Sequence, residues 1–145
     1  TALMLIVGCS KTIDVDKLVE RGGLLYEVNS DKPFSGEGVS YYSNGQKKSE
    51  GTFKDGGYDG KWTYWYENGQ IRSEETYKDG KEDGKWTRWH ENGQKRSEGT
   101  YKDGERDRKW TDWYKNGQKK WEGTYKDGKW IKRTWWDEDG NKEQW

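Results

Sequence analysis

The constraint that dominates this chain is a repeat. Asn44-Gly45-Gln46, Asn68-Gly69-Gln70, Asn92-Gly93-Gln94 and Asn116-Gly117-Gln118 recur at a step of 24 residues. Lys54-Asp55-Gly56, Lys78-Asp79-Gly80, Lys102-Asp103-Gly104 and Lys126-Asp127-Gly128 keep the same step. A period of this length means a stack of similar supersecondary units, each burying its apolar face against its neighbours. Any function then lies on a surface that the units share.

Composition alone points the other way, because 37% of residues are charged, glycine is abundant and aliphatic residues are scarce, all marks of disorder. Two features oppose that reading. The 27 Lys and Arg balance 27 Asp and Glu, so the chain does not repel itself, and 11 Trp with 10 Tyr supply large apolar faces. So few aliphatic residues cannot fill a thick globular core, whereas a thin stacked sheet needs less. Interleaved charges of both signs give no basic field, which excludes nucleic acid as an expected partner.

The chain opens on the apolar run Ala2-Leu3-Met4-Leu5-Ile6-Val7-Gly8, ending at Cys9 and Ser10. It is too short to span a bilayer. Ile6-Val7-Gly8-Cys9 resembles the lipobox of bacterial lipoprotein signal peptides. The resemblance implies that residues 1–8 are a signal remnant removed on processing, that Cys9 carries the lipid, and that the chain starts inside the signal. Ser10 in place of Asp favours the outer membrane. The alternative is a buried first strand with an ordinary core cysteine. A single cysteine excludes an internal disulfide.

Residues 9–17 read as a tether, and residues 18–33 as a pair of capping strands, Leu18 to Glu20 and Leu24 to Val28, around a turn at Arg21-Gly22-Gly23. Their aliphatic residues would seal the open end of the first repeat. From residue 34 to 145 the repeats follow, each read as a hairpin. In the clearest one, Lys61-Trp62-Thr63-Tyr64-Trp65-Tyr66 leads to a type I′ turn on Asn68-Gly69, in which both central residues need positive φ. Glu67 then faces Gln70, Tyr66 faces Ile71, Trp65 faces Arg72 and Trp62 faces Glu75. Alternation puts Trp62, Tyr64, Tyr66, Ile71, Ser73 and Tyr77 on a core face. Lys61, Thr63, Trp65, Arg72, Glu74 and Thr76 fall on the other. The same pairing sets Trp86 opposite Gly99 and Trp110 opposite Gly123, so each ring can cover a strand glycine. Gly80 to Gly84 and Gly104 to Arg108 read as loops between hairpins.

The pattern G-x-W-x-x-W-Y-x-N-G-Q-x-x-S-E-G-x-Y-K-D-G, from about Pro33 onward, resembles the bacterial variant of the MORN repeat. The resemblance implies an all-β, elongated antiparallel β-meander of stacked hairpins in a single sheet. Proteins of this kind are catalogued as MORN-repeat lipoproteins or as antitoxins of toxin–antitoxin systems. The repeats serve as scaffolds for protein contacts and, in some relatives, phospholipid contact. No catalytic residues carry over.

The candidate binding surface is the second face, where Trp65, Trp89 and Trp113 recur, opposite Arg72, Arg96 and Lys120. One reading is a solvated row of cation–π pairs, completed by Glu74, Glu98 and Glu122 into a charge ladder. The other is a row of aromatic platforms for sugar rings or an extended partner, gaining avidity from repetition. Cages for quaternary ammonium groups need converging aromatics, and the pairing sends Trp62 and Trp65 to opposite faces.

An enzyme is not expected. The lone histidine, His90, holds the place of Tyr66 and Tyr114, and a general base would need a partner. Asp55, Asp79, Asp103 and Asp127 precede glycines in turns, where Asp is expected for local bonding. No metal or cofactor is implied. The expected protein is a membrane-anchored scaffold, held through lipid on Cys9 in the bacterial cell envelope, that binds a protein or glycan. The alternative is an antitoxin that neutralises a toxin by direct binding. Exposed sheet edges add the possibility of self-association.

Overall fold

The architecture is that of a computed structural model, which describes residues 11–143. The strands are β1 (Thr12–Asp14), β2 (Leu18–Arg21), β3 (Leu24–Glu27), β4 (Gly36–Tyr41), β5 (Lys47–Lys54), β6 (Gly57–Trp65) and β7 (Ile71–Lys78). They continue as β8 (Lys81–Trp89), β9 (Lys95–Lys102), β10 (Glu105–Trp113), β11 (Lys119–Lys126), β12 (Lys129–Trp136) and β13 (Lys142–Glu143). The all-β meander implied by the repeat is what forms: an 11-stranded sheet in the order β1-β4-β5-β6-β7-β8-β9-β10-β11-β12-β13.

The single-sheet expectation needs one correction, because β2 and β3 form a separate two-stranded sheet. That hairpin is stitched over the main sheet by Phe34 N–H to Leu25 O (2.8 Å), Leu25 N–H to Gly56 O (3.0 Å) and Gly56 N–H to Phe34 O (2.8 Å). Leu18 and Leu25 pack on the buried cluster Phe34, Phe53 and Trp62. The stretch read as a tether also differs. Thr12, Ile13 and Asp14 pair in parallel with Glu37, Gly38 and Val39, and a 3-10 turn follows at Val15–Lys17. Ile13 and Val15 join the same cluster, and the added strand satisfies the β4 edge. Cys9, its proposed lipidation and the preceding signal remnant lie outside the described residues.

The two turns of the repeat exchange the roles assigned to them. The type I′ geometry sits at Asp-Gly: Lys54 pairs with Gly57, and Asp55 and Gly56 both have positive φ, 48° and 80°. The other Asp-Gly pairs repeat it, with Asp79 at 50° and Asp103 at 51°. These turns join consecutive strands directly, so the stretches read as loops after Gly80 and Gly104 are the starts of β8 and β10. At Asn68-Gly69 only Gly69 is left-handed (φ 83°). Gly69 N–H donates to Tyr66 O (2.9 Å) and Tyr66 N–H to Gln70 O (2.8 Å), the pattern of a type I turn closed by a glycine bulge. Asn68 Oδ1 accepts from Gln70 N–H at 3.0 Å, which is the local bond that favours asparagine here.

This longer turn shifts the register. Trp62 pairs with Glu75 and Tyr64 with Ser73, but Trp65 pairs with Ile71, not Arg72. Trp86 does face Gly99 and Trp110 faces Gly123. The rings, however, lean the other way. A Cβ on Gly51 would collide with the Trp62 ring, and one on Gly99 with the Trp110 ring, so each glycine is covered from the strand that follows it. Irregular pairing between Glu50 and Thr52, and between Asp107 and Thr111, marks bulges that let the ring fold back. The indoles are fixed there by Trp62 Nε1–H to Thr52 O (2.9 Å) and Trp110 Nε1–H to Thr100 O (3.0 Å). Contacts from Phe34 through Phe53, Tyr58, Tyr77, Trp86 and Tyr101 to Trp110 make one continuous aromatic row.

Candidate functional site

The two faces carry different chemistry. On the outer face, Glu74 meets Lys61 (2.6 Å), Glu98 meets Lys85 (3.5 Å) and Glu122 meets Lys109 (2.9 Å) across strands. A second lysine reaches each of the last two carboxylates, Lys95 to Glu98 (2.8 Å) and Lys119 to Glu122 (2.9 Å). Lys95 foremost holds Glu98 below the ordinary carboxylate range, and Lys119 with Lys109 does so for Glu122. The same lysines roof the tryptophans of the next unit. Lys47, paired with Glu50, lies 5.3 Å from the Trp65 ring centre. Lys95 lies 5.7 Å from Trp113, and Lys119 lies 5.6 Å from Trp136.

The pairs Trp65–Arg72, Trp89–Arg96 and Trp113–Lys120 are therefore not formed. Trp65, Trp89 and Trp113 are half-buried at one per unit, but their partners are lysines of the preceding strand. At Trp89 the lysine is replaced by Ile71, 38% exposed, and among the described residues no cation lies over that ring. The bulge after each Asn-Gly turn instead carries Arg72 and Lys120 toward the aromatic face, where they sit 5.5 Å from the Tyr64 ring and 5.4 Å from the Tyr114 ring.

The Asn-Gly edge is a stack of linked turns. Tyr42 and Tyr66 hydroxyls donate to Trp65 O and Trp89 O, both at 2.7 Å, and Tyr114 donates to Trp136 O at 3.1 Å. His90 fills the same position, with Nε2 3.0 Å from Trp113 O, so the histidine stands in for a tyrosine. Asn44, Asn92 and Asn116 reach carbonyls of the following turn at Glu67, Lys115 and Glu138.

Two shallow depressions open beside this edge. One of about 230 Å³ is lined by Tyr66, Arg72, Glu75, Arg88 and Arg96. The other, about 830 Å³, shares Tyr66 and Arg96 and adds His90, Asp112 and Lys120. Glu75 and Arg88 were not singled out from the sequence. Their signal was departure from the repeat: Glu75 replaces the glycine seen as Gly51, Gly99 and Gly123, and Arg88 stands where Tyr64 and Asp112 do. Tyr77 donates to Glu75 Oε2 at 2.8 Å. Burial, with the Glu75 charge beside it, pushes the Tyr77 hydroxyl far above its ordinary value, so it remains a donor.

Among the described residues, no group of His, Cys, Asp and Glu gathers as a metal site, and no helix is long and apolar enough to cross a membrane. No curated protein matches the chain. Residues 35–55, 58–79 and 82–103 match the family model described as MORN repeat variant. Each matched stretch spans one Asn-Gly hairpin and ends on the Lys-Asp of the corner that follows, so the chain contains at least three MORN-type repeats arranged as a scaffold of stacked hairpins.

Proposed function

We propose that this protein is a non-catalytic scaffold of the bacterial cell envelope, held at the outer membrane through lipid on Cys9, that binds an extended glycan or protein along its repeats. The observation that supports this most is the row of half-buried Trp65, Trp89 and Trp113 at one per unit, on a sheet whose neighbouring charges are tied up in ion pairs. Half-buried rings keep an edge and part of a face for a partner while the scaffold holds them still. Repetition then multiplies weak contacts, because each further unit binds at the effective concentration set by the last.

The test is a titration of envelope polysaccharide and envelope protein fractions with single, double and triple Trp→Phe and Trp→Ala variants at positions 65, 89 and 113. Stepwise loss of affinity with each alanine, and smaller loss with phenylalanine, is expected. A one-to-one complex with a small toxin that survives all three substitutions would replace the scaffold reading with the antitoxin one. Intact mass of the protein from its host's membranes tests the anchor: cleavage before Cys9 with added acyl mass supports it, and an unprocessed mass removes it.

A further inference from the structure

Within the matched repeats, two departures from the pattern meet on the aromatic face, Glu75 and Arg88. Glu75 is 7% exposed although three other units place a glycine there. A buried carboxylate is unfavourable unless compensated, and the fold is built elsewhere without it. Arg88 Nη2 stands 3.8 Å from Glu75 Oε1, and Ser73 and Ser97 flank Arg88 on the neighbouring strands. The bulges after the Asn-Gly turns add Arg72 and Arg96 to the same depression. Among the described residues, neither of these two arginines forms an ion pair. Three guanidinium groups and a single carboxylate therefore line this hollow, leaving an excess of positive charge in it.

The shape of that excess selects a ligand. Guanidinium forks match a carboxylate with two parallel bonds. The floor, however, offers the carboxylate of Glu75, which repels a bare anion and suits a donor of hydroxyl hydrogens. Tyr66 supplies an apolar wall, its hydroxyl held by the Trp89 carbonyl at 2.7 Å. A hollow of about 230 Å³ is smaller than pockets for drug-sized molecules, which begin near roughly 300 Å³, and has room for one sugar unit. We propose that this depression is a subsite for a hexuronate unit of an acidic polysaccharide, with its carboxylate between Arg72 and Arg96 and a ring hydroxyl donating to Glu75. The assignment rests on the glycan form of the function proposed above.

Titration of the full chain with oligogalacturonate, a neutral malto-oligosaccharide of equal length, inorganic phosphate and anionic phospholipid vesicles tests it. Oligogalacturonate is expected to shift the Arg72, Arg88 and Arg96 Nε–H signals. Arg72→Gln with Arg96→Gln is expected to weaken it by roughly tenfold or more, with thermal unfolding unchanged. Arg88→Tyr with Glu75→Gly, which installs the residues found at positions 64 and 51, is a second variant expected to fold and to lose the preference for the acidic ligand. Equal binding of acidic and neutral oligosaccharides overturns the subsite and leaves the glycan scaffold standing. Phosphate competing as well as the uronate overturns it in favour of a general anion site, and tighter vesicle binding through the same arginines overturns it in favour of a membrane surface. Binding of neither oligosaccharide overturns both the subsite and the glycan partner, leaving a protein partner.

Discussion

Gly51 and Gly123 occupy equivalent positions in the first and last hairpin pairs, yet they are covered in opposite ways. Gly51 lies under Trp62 from the next strand. That ring continues onto Phe53 and Tyr58, with centroids 4.8 and 4.6 Å away, beneath the β2–β3 hairpin. Beside Gly123 the residue in the place of Trp62 is Arg133, which turns onto Trp130 at 3.4 Å. The space over Gly123 is taken by Trp121 of its own strand, standing where other units have Ser49, Ser73 and Ser97. Trp62 is 1% exposed, whereas Trp130 is 50% and Ile131 67% exposed. A strand glycine in this sheet needs an aromatic cover, but only a ring from the next strand ties one hairpin to another. Coupling should therefore weaken toward β12.

The sharpest way to break that comparison is to remove the cover at each end. Trp62→Ala is expected to cost about 3–5 kcal/mol, measured by denaturant unfolding, and Arg133→Ala less than about 0.5 kcal/mol, as at an ordinary surface position. Equal losses would mean that the two ends are not different. Filling the glycine seat comes next. Gly51→Ala should cost about 1–3 kcal/mol through overpacking against Trp62, and Gly123→Ala less, because Trp121 belongs to a thinner, more exposed layer. A smaller and opposite effect is expected at Arg108, whose φ of 58° is left-handed where Gly60 and Gly84 serve the same bulge. Arg108→Gly should gain about 1 kcal/mol, and a lower melting temperature would contradict this.

The outer-face ladder provides the smallest effect. Glu98 and Glu122 titrate below their ordinary value of 4.5. Their ion pairs thus contribute stability that is present above about pH 4.5 and is lost as the pH falls through the depressed folded values. These pairs are partly exposed, so each is worth under about 1 kcal/mol. Lys95→Met with Lys119→Met should flatten the acid limb of the stability–pH curve. An unchanged limb would show that the ladder is only a solvated surface.

How far the sequence reached follows from which residues obey local rules. The 24-residue step, the Trp–Tyr face and the pairing of Trp62 with Glu75 were legible because alternation and a turn dipeptide fix them locally. The turn type was misassigned because Asn-Gly and Asp-Gly both permit a type I′ turn. What separates them is the Asn68 bond to Gln70 and the reach of neighbouring asparagines to the next turn. That one-residue error moved Arg72, Arg96 and Lys120 to the wrong face and dissolved three expected cation–π pairs. The direction in which Trp62 and Trp110 lean depends on bulges between hairpins, which no local pattern records. Glu75 and Arg88 carry no motif at all and stand out only when the units are laid over one another.

The claim at the centre of this account is that each ring couples its hairpin to the one before. A double-mutant cycle on Gly99 and Trp110 tests it most directly, using Gly99→Ala, Trp110→Ala and the pair together in equilibrium unfolding. A ring lying over Gly99 makes the alanine at position 99 costly only while the indole is present, so the two changes should be non-additive by about 1–3 kcal/mol. Additivity within about 0.5 kcal/mol would contradict it.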